Sequence, residues 1–299
     1  MNRKNVSRRT ILKSGLAACA GVYSLEAIAK GAEEMKKAKK EIPVGLQLYT
    51  VRKECEKDFP GTIAAVGKMG YAGVEFAGYY NTRAQDLRKI LDDNGLKCCG
   101  THTQLDTLLG DKLAGTIEYN KVIGNKFLIV PWLDPNKYTT KAAWLETAKV
   151  FNEIAEKVKA AGMVVGYHAH AGDFKPVRRE ASLTGEGEIP WDILFGNTSK
   201  NVIMQLDTGN AIQGGGDPVA CLKKYPGRSI TIHIKEYSKT NPKAFIGEGD
   251  VKWKEVFELC ESTGGTEWYI IEEESGSFPP LEAAKMSLEN YRKLRSRLI

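Results

Sequence analysis

Alternating strand and helix patterns from Ile42 onward predict a single α/β domain, a (β/α)8 TIM barrel. Three observations carry that reading. Eight short apolar runs rich in β-branched residues have the length and composition of strands buried on both faces. Amphipathic stretches separate them, and the whole spans roughly 250 residues, the usual size of one such barrel. The last four runs, VVGYHAH, VIMQLD, SITIHI and WYIIE, each place one metal-capable side chain where strand gives way to loop: His168, Asp207, His233 and Glu272.

In chain order, the first strand is read in IPVGLQLYT and is followed by a helix around residues 61–69. GVEFAG is the second strand, and an amphipathic helix over 84–94 follows, stopped by Gly95. LKCCGTHTQL supplies the third strand, with a weaker helical segment over 105–123. KFLIVPW is the fourth, and the helix over 141–161 is the most regular in the chain, ended by Gly162. The four ligand-bearing runs complete the eight. A doubly wound open sheet would carry a glycine-rich phosphate turn after its first strand, and GLQLYTVR has none. Gly214-Gly215-Gly216 lacks that frame too and reads as a flexible loop at the barrel mouth.

The first 29 residues read as an export signal. Ser7-Arg8-Arg9-Thr10-Ile11-Leu12-Lys13 resembles a twin-arginine signal, and Ala27-Ile28-Ala29 is a small-x-small cleavage site. The apolar stretch between them is too short to span a bilayer stably. Residues 30–41 then form a linker, 42–299 the barrel, and the mature protein is expected in the periplasm. Leu16-Ala17-Ala18-Cys19 offers the alternative of a lipoprotein signal with a lipidated Cys19. Removing residues 1–29 takes away five basic residues and one acid, so the formal charge falls from +6 to +2. No basic stripe remains, so charge suggests no nucleic-acid partner, and none is expected. The five remaining cysteines, Cys55, Cys98, Cys99, Cys221 and Cys260, contain no CxxC pair, so they read as packing residues with at least one free thiol. Alternation would point one of Cys98 and Cys99 inward and the other outward.

A closed parallel barrel gathers its strand ends at one mouth, so His168, Asp207, His233 and Glu272 can converge on one ion. Two imidazoles and two carboxylates suit Zn, Mn or Co better than Ca or Mg. Taken singly, Asp207 could cap a turn, His233 could be a satisfied core histidine, and Glu272 could be one acid of an exposed strand end. Their shared phase in successive units favours the metal. Position also brings His102 and Glu75 to the mouth as candidates for binding substrate hydroxyls, with a solvated strand end as the other reading of Glu75. Gln47, Tyr49 and Trp132 could supply hydrogen bonds and an apolar wall for a sugar ring.

GLQLYTVR, GYAGVEFAG, NEIAEKVKAAGMVVGYHAH, LDTGN, HIKE and GEGDVKW, in that order, resemble the sugar phosphate isomerase/epimerase family of xylose-isomerase-like barrels. That group includes inositol-pathway dehydratases and ketose 3-epimerases, and the resemblance covers nearly all of residues 42–299. It implies one divalent ion held by His168, Asp207, His233 and Glu272, and an unbound small-molecule sugar as substrate. It also implies proton removal beside a carbonyl through an enediolate, with isomerisation, epimerisation and elimination as possible exits. Ketose epimerases of the family carry a glutamate on the fifth strand where this chain offers His168, which departs from a symmetric two-carboxylate mechanism. Glu272 is the expected ligand and proton carrier. His170 shares the phase of His168 and could be a second base, and Lys235 resembles the lysine that steadies an oxyanion in relatives, although alternation reads it as off the inward phase unless it lies in the loop.

The resulting expectation is a metal-dependent isomerase or epimerase of an unphosphorylated or oxidised sugar, because an exported enzyme meets few sugar phosphates. A lyase or hydratase of 3-keto-sugars or 3-keto-glycosides is the alternative, and a non-catalytic sugar-binding protein a minor one. Too few histidines are present for the multi-zinc cluster of an abasic-site endonuclease. A homodimer is possible, as barrels of this family often pair.

Overall fold

The computed structural model describes residues 41–177 and 187–298. The expected export signal, Cys19 and all of the linker except Glu41 lie outside the described residues. Eight strands form the barrel: β1 (Val44–Gln47), β2 (Gly73–Phe76), β3 (Lys97–His102), β4 (Phe127–Val130), β5 (Val164–His168), β6 (Val202–Asp207), β7 (Thr231–Ile234) and β8 (Trp268–Ile271). Each pairs in parallel with the next, and β8 pairs with β1 to close the ring, as the alternating pattern predicts.

The helices between them are α1 (Arg52–Lys57), α2 (Phe59–Met69), α3 (Ala84–Asp93), α4 (Lys112–Val122), α5 (Lys141–Lys159), α6 (Pro190–Gly196), α7 (Thr208–Gly214), α8 (Pro218–Lys224), α9 (Trp253–Leu259) and α10 (Pro280–Leu298). In α5, Trp144, Thr147, Ala148, Phe151, Ile154, Ala155 and Val158 recur at helical spacing and are buried against the barrel. Thr140 caps its N-terminus by accepting from the Ala143 amide, which supplies a partner for one of the otherwise unbonded first-turn donors.

Alternation along each strand sorts the core into two shells. Leu46, Val74, Leu128, Val165, Met204, Ile232 and Ile271 belong to the large cluster that includes the helices. Cys99, Phe127, Ile129, Ile203, Trp268 and Ile270 form a separate cluster filling the barrel floor. Cys98 joins the first and Cys99 the second, as alternation requires. All five described cysteines are buried free thiols. Two glycines make room for the floor: a Cβ on Gly45 would lie 2.5 Å from Cys99 Sγ, and one on Gly166 would lie 2.6 Å from Ile203.

Two expectations are corrected. The first strand stops at Gln47, because the Gln47 side chain accepts from the Tyr49 amide at 3.0 Å and turns residues 48–51 into a 3-10 helix. The three glycines are no flexible loop. Gly214 ends α7, Gly215 caps it in the left-handed region at φ 91°, and Gly214 and Gly216 pack so closely on Ala171 and Phe174 that neither has room for a Cβ.

Candidate active site

Above the apolar floor, the same inward phase becomes polar. Gln205, Asp207, Thr231, His233, His168 and Glu272 are all buried, and each shares the inward phase of its strand or stands at the strand's end. Ligand atoms of His168, Asp207, His233 and Glu272 lie within 4.8 Å of one another. One ion with bonds of about 2.0–2.2 Å closes that span with small side-chain movements.

The hydrogen bonds around these residues leave an oxygen free on Asp207 and a ring nitrogen free on His168, whereas both ring nitrogens of His233 are engaged by carboxylates. Asp207 Oδ1 accepts from the Asn210 amide at 2.7 Å, so the residue does cap α7. Its Oδ2 is buried without a hydrogen-bond partner, and Lys235 Nζ and His233 Nδ1 each stand 3.8 Å away. A buried, unbonded carboxylate oxygen is costly unless a cation meets it. The Gln205 amide nitrogen donates to Glu75 Oε1 at 2.6 Å and to Thr231 at 3.1 Å, which turns its oxygen toward His168 Nδ1 at 3.1 Å. His168 therefore carries its proton on Nδ1 and keeps Nε2 as a lone pair. His233 lies between two carboxylates, with Nε2 2.6 Å from Glu75 and Nδ1 2.8 Å from Glu272. A buried carboxylate holding the far side of a ligand imidazole is the arrangement that orients metal-binding histidines. The four residues fit a borderline divalent ion that takes the place of the proton between His233 Nδ1 and Glu272.

Titration follows from this arrangement. Burial, reinforced by the neighbouring histidines and Lys235, holds His168 well below its ordinary range, so it is neutral. Burial alone would lower His233, but the Glu75 and Glu272 carboxylates raise it to about 10. Burial raises Asp207 to about 6 against the pull of Lys235, whereas Lys235 and His233 overcome burial at Glu272 and lower it to about 2.

The structure revises the roles of several expected residues. Glu75 and Gln47 have no exposed surface and bond to each other at 2.7 Å, so they brace the site from below instead of facing substrate. His102 is partly exposed and lies 3.2 Å from Glu75 and 3.1 Å from Gln205 Oε1, at the edge of the same bed. Gln205, absent from the sequence expectations, connects Glu75, His168 and His102; its spacing two residues before Asp207 was the available signal. Lys235 lies in the loop just beyond β7, and its Nζ reaches inward to 3.8 Å from Asp207 while also pairing with Glu274. Tyr49 and Trp132 stand at the rim, 41% and 51% exposed, and Tyr49 carries the Arg52 guanidinium 4.0 Å above its ring.

His170 lies just beyond β5 with its ring centroid 4.9 Å from that of His168 and its Nδ1 buried without a partner. Burial holds its imidazole near 4, so it is neutral at neutral pH and able to accept a proton. Asp173 fixes this turn: its carboxylate accepts from the His170 amide at 2.7 Å and from the Tyr167 hydroxyl at 3.1 Å. Burial raises Asp173 to about 7, above an ordinary value near 4. Stability from that raised group is present below about pH 4 and is lost as pH rises through about 7. Asp173→Asn is therefore expected to flatten the fall in urea midpoint between those values relative to the unsubstituted protein. Parallel curves for the two proteins would refute the assignment.

Comparison with known proteins now bears on the family. The profile of the xylose isomerase-like TIM barrel matches residues 63–294. The chain belongs to that family. Among its relatives, the rhizopine catabolism protein MocC of Rhizobium meliloti is 23% identical over 270 residues, covering 78% of this chain and 80% of its own. The inosose dehydratase of Serratia proteamaculans is 23% identical over 260 residues, covering 73% and 83%. A sugar phosphate isomerase/epimerase from Parabacteroides distasonis superimposes with a TM-score of 0.69 at 25% identity, covering 84% of this chain and 94% of that one. The family is one of sugar isomerases, epimerases and inosose dehydratases, whose substrates are small molecules. No helix among the described residues is long and apolar enough to cross a membrane.

Proposed function

We propose that this chain is a divalent-metal-dependent sugar isomerase or epimerase that moves a proton beside the carbonyl of an unphosphorylated or oxidised sugar. The observation that carries the proposal is the convergence of His168, Asp207, His233 and Glu272, with Asp207 Oδ2 unbonded in a buried site. A Mn, Co or Zn ion held by those four residues would polarise the sugar carbonyl and its neighbouring hydroxyl. Glu272, ionised through Lys235 and His233, takes the proton beside that carbonyl. His170, neutral and just beyond the end of β5, receives or returns a proton from its side. Lys235 Nζ, held between Asp207 and Glu274, steadies the negative charge that develops on oxygen.

The charge around the site supports a neutral substrate. The cleft beside Lys235 and Glu272 is lined by Glu236, Glu272, Glu273 and Glu274 against Lys235 alone, with no arginine, and this would repel a phosphate dianion. The export signal expected in residues 1–29 agrees, since periplasmic sugars are largely unphosphorylated.

A second reading, a lyase or hydratase of 3-keto-sugars or 3-keto-glycosides, is favoured by the inequality of the proton carriers. One carboxylate base stands beside a single protonated ammonium, Lys235, while the His170 imidazole is neutral, an unequal pair that suits a base and an acid in elimination. Relatives named inosose dehydratase point the same way. Product analysis of the metal-loaded protein with a ketohexose and with a 3-keto-glucoside separates the two. A migrated carbonyl or an inverted centre in the ketohexose is the expected result; an unsaturated ketone or free aglycone from the glucoside would establish the second reading. Absence of both product types would defeat the proposal.

A further inference from the structure

Beyond the reacting centre, a side cleft of about 340 Å³ runs from Lys235 and Glu272 outward between the loops that follow β7 and β8. That volume exceeds what one pyranose ring fills. Tyr237, Asn241 and Phe245 line one wall and Ser275 the other. Aromatic and aliphatic side chains thus share the lining with amide, hydroxyl and carboxylate groups. Such a lining suits the C–H faces and hydroxyls of a sugar ring better than it suits a flat apolar group.

The wall is built in advance. Glu236, next to Lys235, accepts from the amides of Tyr237 at 3.0 Å, Gly247 at 2.8 Å and Val251 at 3.3 Å, and from the Trp253 indole at 2.7 Å. One carboxylate therefore ties both ends of the β7–α9 loop together. Gly249 lies so close that a Cβ there would be 2.5 Å from Glu236 Oε1. The GEGDVKW segment thereby gains a role as the closure of this wall, and its Asp250 amide donates to Tyr237 O at 2.7 Å. A loop held this way binds a ligand without first being ordered.

We infer that the side cleft is a subsite for a second, uncharged sugar unit, so that the substrate is a disaccharide or glycoside whose reacting ring sits over His168, Asp207, His233 and Glu272. The inference rests on the sugar chemistry proposed above and adds the size of the substrate. Tyr237, Asn241 and Ser275 become residues of specificity, remote from the proton transfer.

The test is calorimetric titration of the Mn(II)-loaded full chain with D-glucose and with cellobiose, maltose and trehalose. At least one disaccharide is expected to bind about tenfold more tightly than D-glucose. Asn241→Ala and Ser275→Trp, both at exposed positions, are expected to erase that preference while leaving D-glucose affinity and metal content unchanged. A wild type that binds every disaccharide no better than D-glucose overturns the subsite, as does a preference that survives Ser275→Trp. Failure of all four sugars to bind overturns the subsite, while the proton-transfer reading is judged separately by turnover of the ketohexose.

Discussion

Asp207→Asn and His233→Ala are each expected to lose most of the bound divalent metal, weakening affinity by at least about a hundredfold, while far-UV circular dichroism still reports a barrel. Asp207→Asn is the cleaner variant. Asparagine keeps an oxygen for the Asn210 amide, so α7 stays capped, but it removes the charge on the unbonded Oδ2. His233→Ala does more, because it also strips Glu75 and Glu272 of the imidazole between them. Some loss of thermal stability should therefore accompany its loss of metal. The core strands are held by apolar side chains of both shells, which neither substitution touches. Metal content unchanged in both variants would remove this ligand set.

Glu75→Ala is expected to cost roughly 3–5 kcal/mol of stability, the range for breaking a buried ion pair by deleting one partner. Burial would raise the Glu75 carboxyl, yet His102 and His233 hold it below the ordinary carboxylate range, so the group is ionised at the barrel centre. Its removal takes an acceptor from the amides of Gln47 and Gln205, the latter keeping only Thr231, and from Nε2 of His233. The same change frees the His233 ring to rotate, so metal affinity should fall by about 10–100-fold although Glu75 is no ligand. Thermal denaturation and metal binding read the two effects separately. A variant as stable as the unsubstituted protein would show that the carboxylate does not hold the bed together.

Much of this was legible in the sequence because the barrel obliges every strand to be apolar and every ligand to stand at a strand end. Those constraints are local: a run such as VIMQLD declares both the strand and the residue that faces the mouth. Alternation also placed Cys98 and Cys99 correctly on opposite faces. What escaped were relations between distant segments. Glu75 read as a strand-end acid, because its partners Gln205 and His233 lie 130 and 158 residues away. The carboxylate of Glu236 gave no signal, since its role depends on the return path of a loop ending at Trp253. Gly214 to Gly216 looked flexible because composition alone does not reveal that Ala171 and Phe174 occupy the space beside them. Lys235 reaches the site because β7 ends at Ile234, a boundary that composition alone does not mark.

The measurement that bears most directly on proton transfer is proton NMR of a ketose turned over in deuterated water by the metal-loaded protein. The account predicts that the carbon beside the carbonyl gains solvent deuterium, and that a chelator or Asp207→Asn abolishes the exchange. Turnover that leaves that carbon fully protiated, or exchange that persists in Asp207→Asn, would contradict it.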